Sequence, residues 1–265
     1  MAMTSDELLA GVKRRVTIPA RQSLLDNADI LKFADNIISS RMVPLLEASN
    51  QEYFVRETEI DVVASQSVYS IPYRAVGRAL RELKMEDSRG NVRNIALIQL
   101  EDSQLFTQSS LTLGFYFIGD KIRLVPDVPS SISVDQVLKV WYRLPPSKLV
   151  EVSDAALVTG VSGDDVTVSN VPDEIVTGAV IDFVQGRSGS SIYELDKTIT
   201  NVSGTTISFA TDVVPDDLMA GDYISITQTS PVINFIPNEC YSLIESLTAY
   251  RVLTAIGDFE GANIL

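Results

Sequence analysis

The sequence predicts an α+β fold: a helical bundle with a β element and an inserted, internally duplicated all-β domain. Three observations predict it. Apolar residues recur at helical spacing near both ends of the chain, at Ile30, Phe33, Ile37 and Met42 and again at Leu243, Leu247 and Tyr250. Alternating strand patterns fill the middle, as in GFYFIGDKIRLVP at 114–126. Finally, TGVSGDDVTVSNVPDEIVTGAVIDFVQ (159–185) returns as TNVSGTTISFATDVVPDDLMAGDYISITQ (200–228), with Gly163 aligned on Gly204 and Gly178 on Gly221. The offset moves from 41 to 43 residues, so one copy carries a two-residue insertion. Two repeats are too few for a solenoid, whereas two β-units closing on each other as a small barrel or sandwich remove exposed edges. The expected domains are therefore 1–150 plus 233–265 as the core, and 151–232 as the inserted β-domain.

The elements follow in order. Thr4-Ser5-Asp6-Glu7 is a capping-box pattern, and Lys13-Arg14-Arg15 suit the negative end of the helix that follows, which Pro19 closes. A second helix starts near Asp26 or Asn27, and Pro44 ends or kinks it. EIDVVASQSVYSIP reads as short strands. Val76, Ala79, Leu80 and Leu83 then mark one face of a short helix. Ser88-Arg89-Gly90-Asn91 is a tight turn, and a short helix is expected at 101–108. Strands follow at 115–118, 121–125 and 136–143. Gly186 to Ser191 reads as a flexible linker between the two repeats, and Asn238 as the N-cap of a last helix running to Ile256.

Composition removes whole classes of chemistry. The 265 residues contain no histidine and one cysteine, Cys240. Ser-His-Asp and Cys-His nucleophile systems, HExxH zinc sites and an internal disulfide framework are thereby excluded. No apolar run reaches the roughly 18–20 residues of a membrane span, and no secretory h-region is apparent. The net charge of −14 is lopsided: residues 1–150 balance 18 basic against 18 acidic side chains, while 151–265 hold 3 basic and 17 acidic. That half should repel nucleic-acid phosphate. The expectation is no catalytic residue, no cofactor and no metal.

The candidate contact residues are Arg74, Arg78 and Arg81, at i, i+4 and i+7 of the expected short helix, together with the apolar terminus Ile264-Leu265. The arginines could meet an acidic partner or phosphate, or form a solvated face. The Pro-Asp-Glu and Pro-Asp-Asp triplets read as helical-turn starts rather than paired catalytic carboxylates. Trp141-Tyr142 places one ring toward the core and the other on a surface.

DNADILKFADNIISSRMVPLLEASNQEYF, SVYSIPYRAVGRALRELKMEDSRGNVRNI, GFYFIGDKIRLVP and LKVWYRLPPSKLV resemble the head-to-tail adaptor (connector or ring) proteins of tailed double-stranded DNA phages, of short-tailed or crAss-like type. The resemblance covers about residues 5–150 and 238–256. It implies a non-enzymatic virion protein, made in the host cytoplasm and placed at the head–tail junction. Copies would form a homo-oligomeric ring, usually a dodecamer, between the portal protein and the tail or a further ring or nozzle protein. DNA would pass through its channel without specific binding, with no membrane involved. Such proteins often extend past the last helix, whereas this sequence ends at Leu265. The alternative is a carbohydrate- or protein-binding module built on residues 151–232. The poverty of that segment in aromatic residues (Phe183, Tyr193, Phe209 and Tyr223) weighs against sugar stacking.

Overall fold

The computed structural model describes residues 2–16, 25–75, 80–103, 113–128, 136–187 and 192–262. Strand outweighs helix, 34% against 27%, and is spread over several sheets. The expected helical bundle with one β element is therefore corrected to a mainly β protein with a small helical layer. The chain divides into two compact units, Met1–Leu46 with Pro146–Leu265, and Glu47–Pro145.

In the first unit, helix α1 (Ser5–Val16) starts on the expected capping box. The Thr4 backbone N–H donates to Glu7 Oε2 at 3.0 Å, and the Glu7 N–H donates to Thr4 Oγ1 at 3.1 Å. Helix α2 (Asn27–Ile37) is capped by Asp26, whose Oδ1 accepts from the Asp29 N–H at 2.7 Å. Pro44 does not end the helical path. A π-helical stretch, Ile38–Met42, leads into α3 (Val43–Ser49), and the register shifts just before the residue that has no N–H to give. Helix α4 (Tyr241–Ala255) packs on α1 and α2. It is preceded by a 3-10 turn, Asn238–Cys240, so Asn238 begins that turn and makes no side-chain cap.

The rest of this unit is β. A short parallel pair joins β9 (Lys148–Leu149) to β17 (Thr229–Ser230). Between them lie β10 (Ala156–Ser162), β11 (Asp165–Val168), β12 (Val180–Val184), β13 (Ile192–Thr198), β14 (Asn201–Ser203), β15 (Thr206–Ser208) and β16 (Tyr223–Ile226). Their order is β13-β12-β16-β10-β11-β15-β14. Both ends of that order belong to one run of chain, 192–203, so the sheet closes on itself as a barrel.

The two copies make matching hydrogen bonds. Gly178 N–H donates to Ile199 O as Gly221 N–H does to Val158 O, both at 2.9 Å. Val168 N–H donates to Thr205 O as Phe209 N–H does to Asp164 O, again at 2.9 Å. The strands pair between copies: β11 of the first pairs β15 of the second, and β12 of the first pairs β16 of the second. The barrel core holds Val158, Val166, Ile181, Phe183, Ile199, Ile207 and Ile224, with Phe183 and Phe209 in ring contact at 4.9 Å. The start of α1 and the chain just before it are tied to the segment after the barrel: Ser5 N–H donates to Pro231 O, and Ile233 N–H to Met3 O.

The second unit carries two four-stranded sheets. One runs β1 (Val55–Asp61), β8 (Val137–Arg143), β3 (Leu80–Glu86), β4 (Val92–Asn94); the other runs β2 (Val68–Ser70), β7 (Lys121–Val125), β6 (Gly114–Ile118), β5 (Ala96–Leu97). The expected short helix around Leu80 and Leu83 is instead β3, antiparallel to β8. Leu83 and Met85 alternate inward against Leu138 and Val140, and this two-residue period overrides the weak helical one. Residues 76–79, with Val76 and Ala79, lie outside the described residues, as do Pro19, most of the expected helix at 101–108 and linker residues 188–191. A 3-10 turn occupies Leu100–Asp102. The Ser88–Asn91 turn is present, held by Asp87, whose Oδ1 accepts from the Arg89 and Asn91 N–H groups at 2.9 Å each. Among the described residues no helix is long and apolar enough to cross a membrane.

Candidate functional site

The arginine stripe is dispersed. Arg74 is buried, 7% exposed, in the turn after β2. Arg81 lies on strand β3, where its Nη2 and Nε donate to Glu52 Oε1 at 2.6 and 2.9 Å. A strand cannot share a helix face with Arg74, so the expected i, i+4, i+7 surface is corrected. Arg78, Ile264 and Leu265 lie outside the described residues.

On the β1-β8-β3-β4 sheet one face is apolar and the other is charged. Lys139 Nζ sits 2.5 Å from Glu86 and 3.6 Å from both Glu57 and Glu59, and these carboxylates, Glu86 foremost, raise its pKa. Tyr142 points inward, while Trp141 lies on the charged face with Lys84 Nζ 4.7 Å from its ring centroid. The charges there answer one another, as solvated cross-strand pairs do.

In the barrel the Pro-acid-acid triplets form matching turns. Ile175 N–H donates to Pro172 O, and Leu218 N–H to Pro215 O, both at 3.0 Å. The second of these turns, with the two extra residues in the segment just before it, borders a groove of about 610 Å3 whose walls include Asp164, Glu194, Asp212, Asp216 and Asp217. Two carboxylates are wholly buried nearby in the chain. Asp222 accepts from the Gly186 and Met219 N–H groups at 3.0 Å each and from Tyr193 Oη at 3.3 Å. Asp182 accepts from the N–H groups of Asp196 (3.0 Å) and Gln228 (3.1 Å), two residues held at positive φ. Both carboxylates are engaged by backbone, which is what a buried anion requires. Their role is to fix loops. Among the described residues no three His, Cys, Asp or Glu side chains are grouped so as to hold a metal ion.

A second concavity, more apolar in its lining, lies among the described residues between α2 and the chain around β9. It has a volume of about 570 Å3, a floor of Leu31, Leu149 and Val150, and the carboxylate of Asp35 in its wall. Asp35 Oδ1 accepts the Leu149 N–H at 2.9 Å. That N–H points away from β17, because β9 bonds to the barrel side through Lys148 and Val150. Desolvation pushes the Asp35 pKa up from 3.8 to about 6, against the lowering effects of the Leu149 N–H and Lys148. An apolar concavity with one perturbed carboxylate is the general form of a binding site.

No protein-family model matches the chain, and no curated protein matches it.

Sequence reasoning passed over Asp35 because it sits in an ordinary polar position of an amphipathic helix. Its partner is Leu149, 114 residues away. The one signal available was its place among Leu31, Ala34 and Ile38, on the side of α2 that packs inward.

Proposed function

We propose that the protein is a non-enzymatic virion structural protein, a head-to-tail adaptor that assembles as a ring between a phage portal and its tail and leaves a channel for DNA. The observation that carries this reading is the pairing of the chain's two ends. Helices α1 and α2 from the N-terminal segment pack with α4 from the C-terminal segment, and the β structure is carried between them. These helices fall within the segments that resemble the adaptor family. Gly11 allows the α1–α4 approach: a Cβ there would come within 2.6 Å of the Glu245 carboxylate, which pairs with Arg15 at 2.9 Å.

The electrostatics support the same reading. The unit made of Met1–Leu46 and Pro146–Leu265 holds 22 acidic and 10 basic residues, net −12. A surface of that sign lets DNA pass without counterion-releasing contacts. A closed ring needs two different faces on each subunit rather than a reactive centre. Native mass spectrometry of the protein mixed with the purified portal tests the proposal. A complex with one closed set of copies per portal is expected. A chain that stays monomeric and never joins portal or tail protein contradicts it.

A further inference from the structure

We infer that the concavity beside α2 is a docking site for one lysine or arginine side chain, carried with an apolar neighbour on an extended segment of a partner protein. The inference goes beyond the ring reading and does not depend on it. Three features of the site point to this ligand. The first is a carboxylate only half used. Asp35 Oδ1 takes the Leu149 N–H, and the group has no further hydrogen bond or ion pair among the described residues. Two-oxygen carboxylates favour a donor on each side, and a guanidinium or ammonium supplies the missing one with charge assistance.

The second feature is the floor. Ala28, Leu31, Leu149 and Val150 offer apolar surface to the methylenes of a long basic side chain and to an apolar neighbour. The third is charge complementarity. The groups facing Asp35 are Lys32 on its own helix, Lys148 on β9, and Glu151 and Asp154 beyond it. Lys32 is already paired with Asp29 at 3.2 Å, which leaves three carboxylates against Lys148. The surrounding unit, at net −12, would draw a cationic segment toward the site. An anionic or neutral ligand would leave Asp35 desolvated and uncompensated.

The test is an NMR titration of the full chain with the peptide acetyl-Leu-Arg-Leu-amide, followed through the Leu149 amide, which reports directly on Asp35. A saturable Leu149 shift is expected, at least about tenfold weaker when citrulline replaces arginine. With the carboxylate titrating at about pH 6, wild-type affinity should fall about tenfold between pH 7.5 and pH 5. Asp35→Asn, which keeps an acceptor for Leu149, should weaken binding about tenfold and remove that pH dependence. Lys148→Gln should tighten binding by removing the competing cation, a gain that a merely structural role would not produce. Absence of a saturable Leu149 shift overturns the inference, as does equal binding of the citrulline peptide. Shifts centred on Asp212, Asp216 and Asp217 would overturn it in favour of unspecific attraction to the acidic groove. A Leu149 shift produced by raising the concentration of the protein alone would assign the site to a second copy and overturn it too.

Discussion

Asp35 shows how one residue departs from what its neighbours in sequence suggest. Its pKa is higher in the folded protein than the ordinary 3.8, so the folded state binds the proton more tightly than the unfolded one. That contribution to stability is fully present below about pH 4 and is lost as the pH rises through about 6. Asn at this position mimics the protonated form. Asp35→Asn should therefore gain stability relative to wild type, on the order of 1–2 kcal/mol, as the pH goes from 4 to 7.5. Denaturant melts of both proteins across that range check the sign, and a constant difference contradicts it. Gly186 makes a second residue-scale case. A Cβ there would meet the Gly221 carbonyl oxygen at 2.1 Å, and the Gly186 N–H feeds buried Asp222. Gly186→Ala should cost about 3 kcal/mol, because backbone rather than a mobile side chain blocks it. Unchanged denaturant midpoints would show that the two loops part easily. In the sequence this glycine reads only as linker, since Gly221 is brought beside it by the pairing of β12 with β16.

At the scale of elements, legibility followed the strength of local signals. The capping box at Thr4 and Glu7, the start of α2 at Asp26 and the Ser88–Asn91 turn are short-range devices, and each appears where its residues stand. The segment around Leu80 failed because its apolar residues fit both a helix and a strand, and pairing with β8 decided between them. The duplication was visible as a pattern, but not the pairing of strands between copies that makes the barrel one cooperative body. That pairing has a consequence for dynamics. The amides of Gly178, Gly221, Val158 and Ile199 form matched bonds in one closed sheet, so their hydrogen-exchange protection should agree within about tenfold. Protection confined to one copy would mean that the halves open separately. Phe183 stands at the barrel centre, fully buried against Phe209. Phe183→Ala should cost about 3–5 kcal/mol in denaturant unfolding. A loss below about 1 kcal/mol would mean that the barrel collapses around the gap.

At the scale of the whole molecule, charge and composition said more than any motif. The absence of histidine and the acidic bias of residues 151–265 are plain in the sequence. The candidate contact surface was not, because it was drawn on a helix that the Arg81 strand replaces. What the described residues offer instead is a helical layer made from both chain ends, an acidic barrel and the Asp35 carboxylate beside α2. The first two suit a subunit whose work is to present faces to its neighbours. Raising the salt concentration should leave such an assembly intact where apolar helical surface holds it, and loosen it where Lys and Arg contacts do. Electron-microscope imaging of the purified protein, alone and with portal, tests the adaptor assignment most directly. Closed rings with a central channel, seated on the portal when it is present, are the result expected. Single particles of one 29.0 kDa chain in both samples would contradict it.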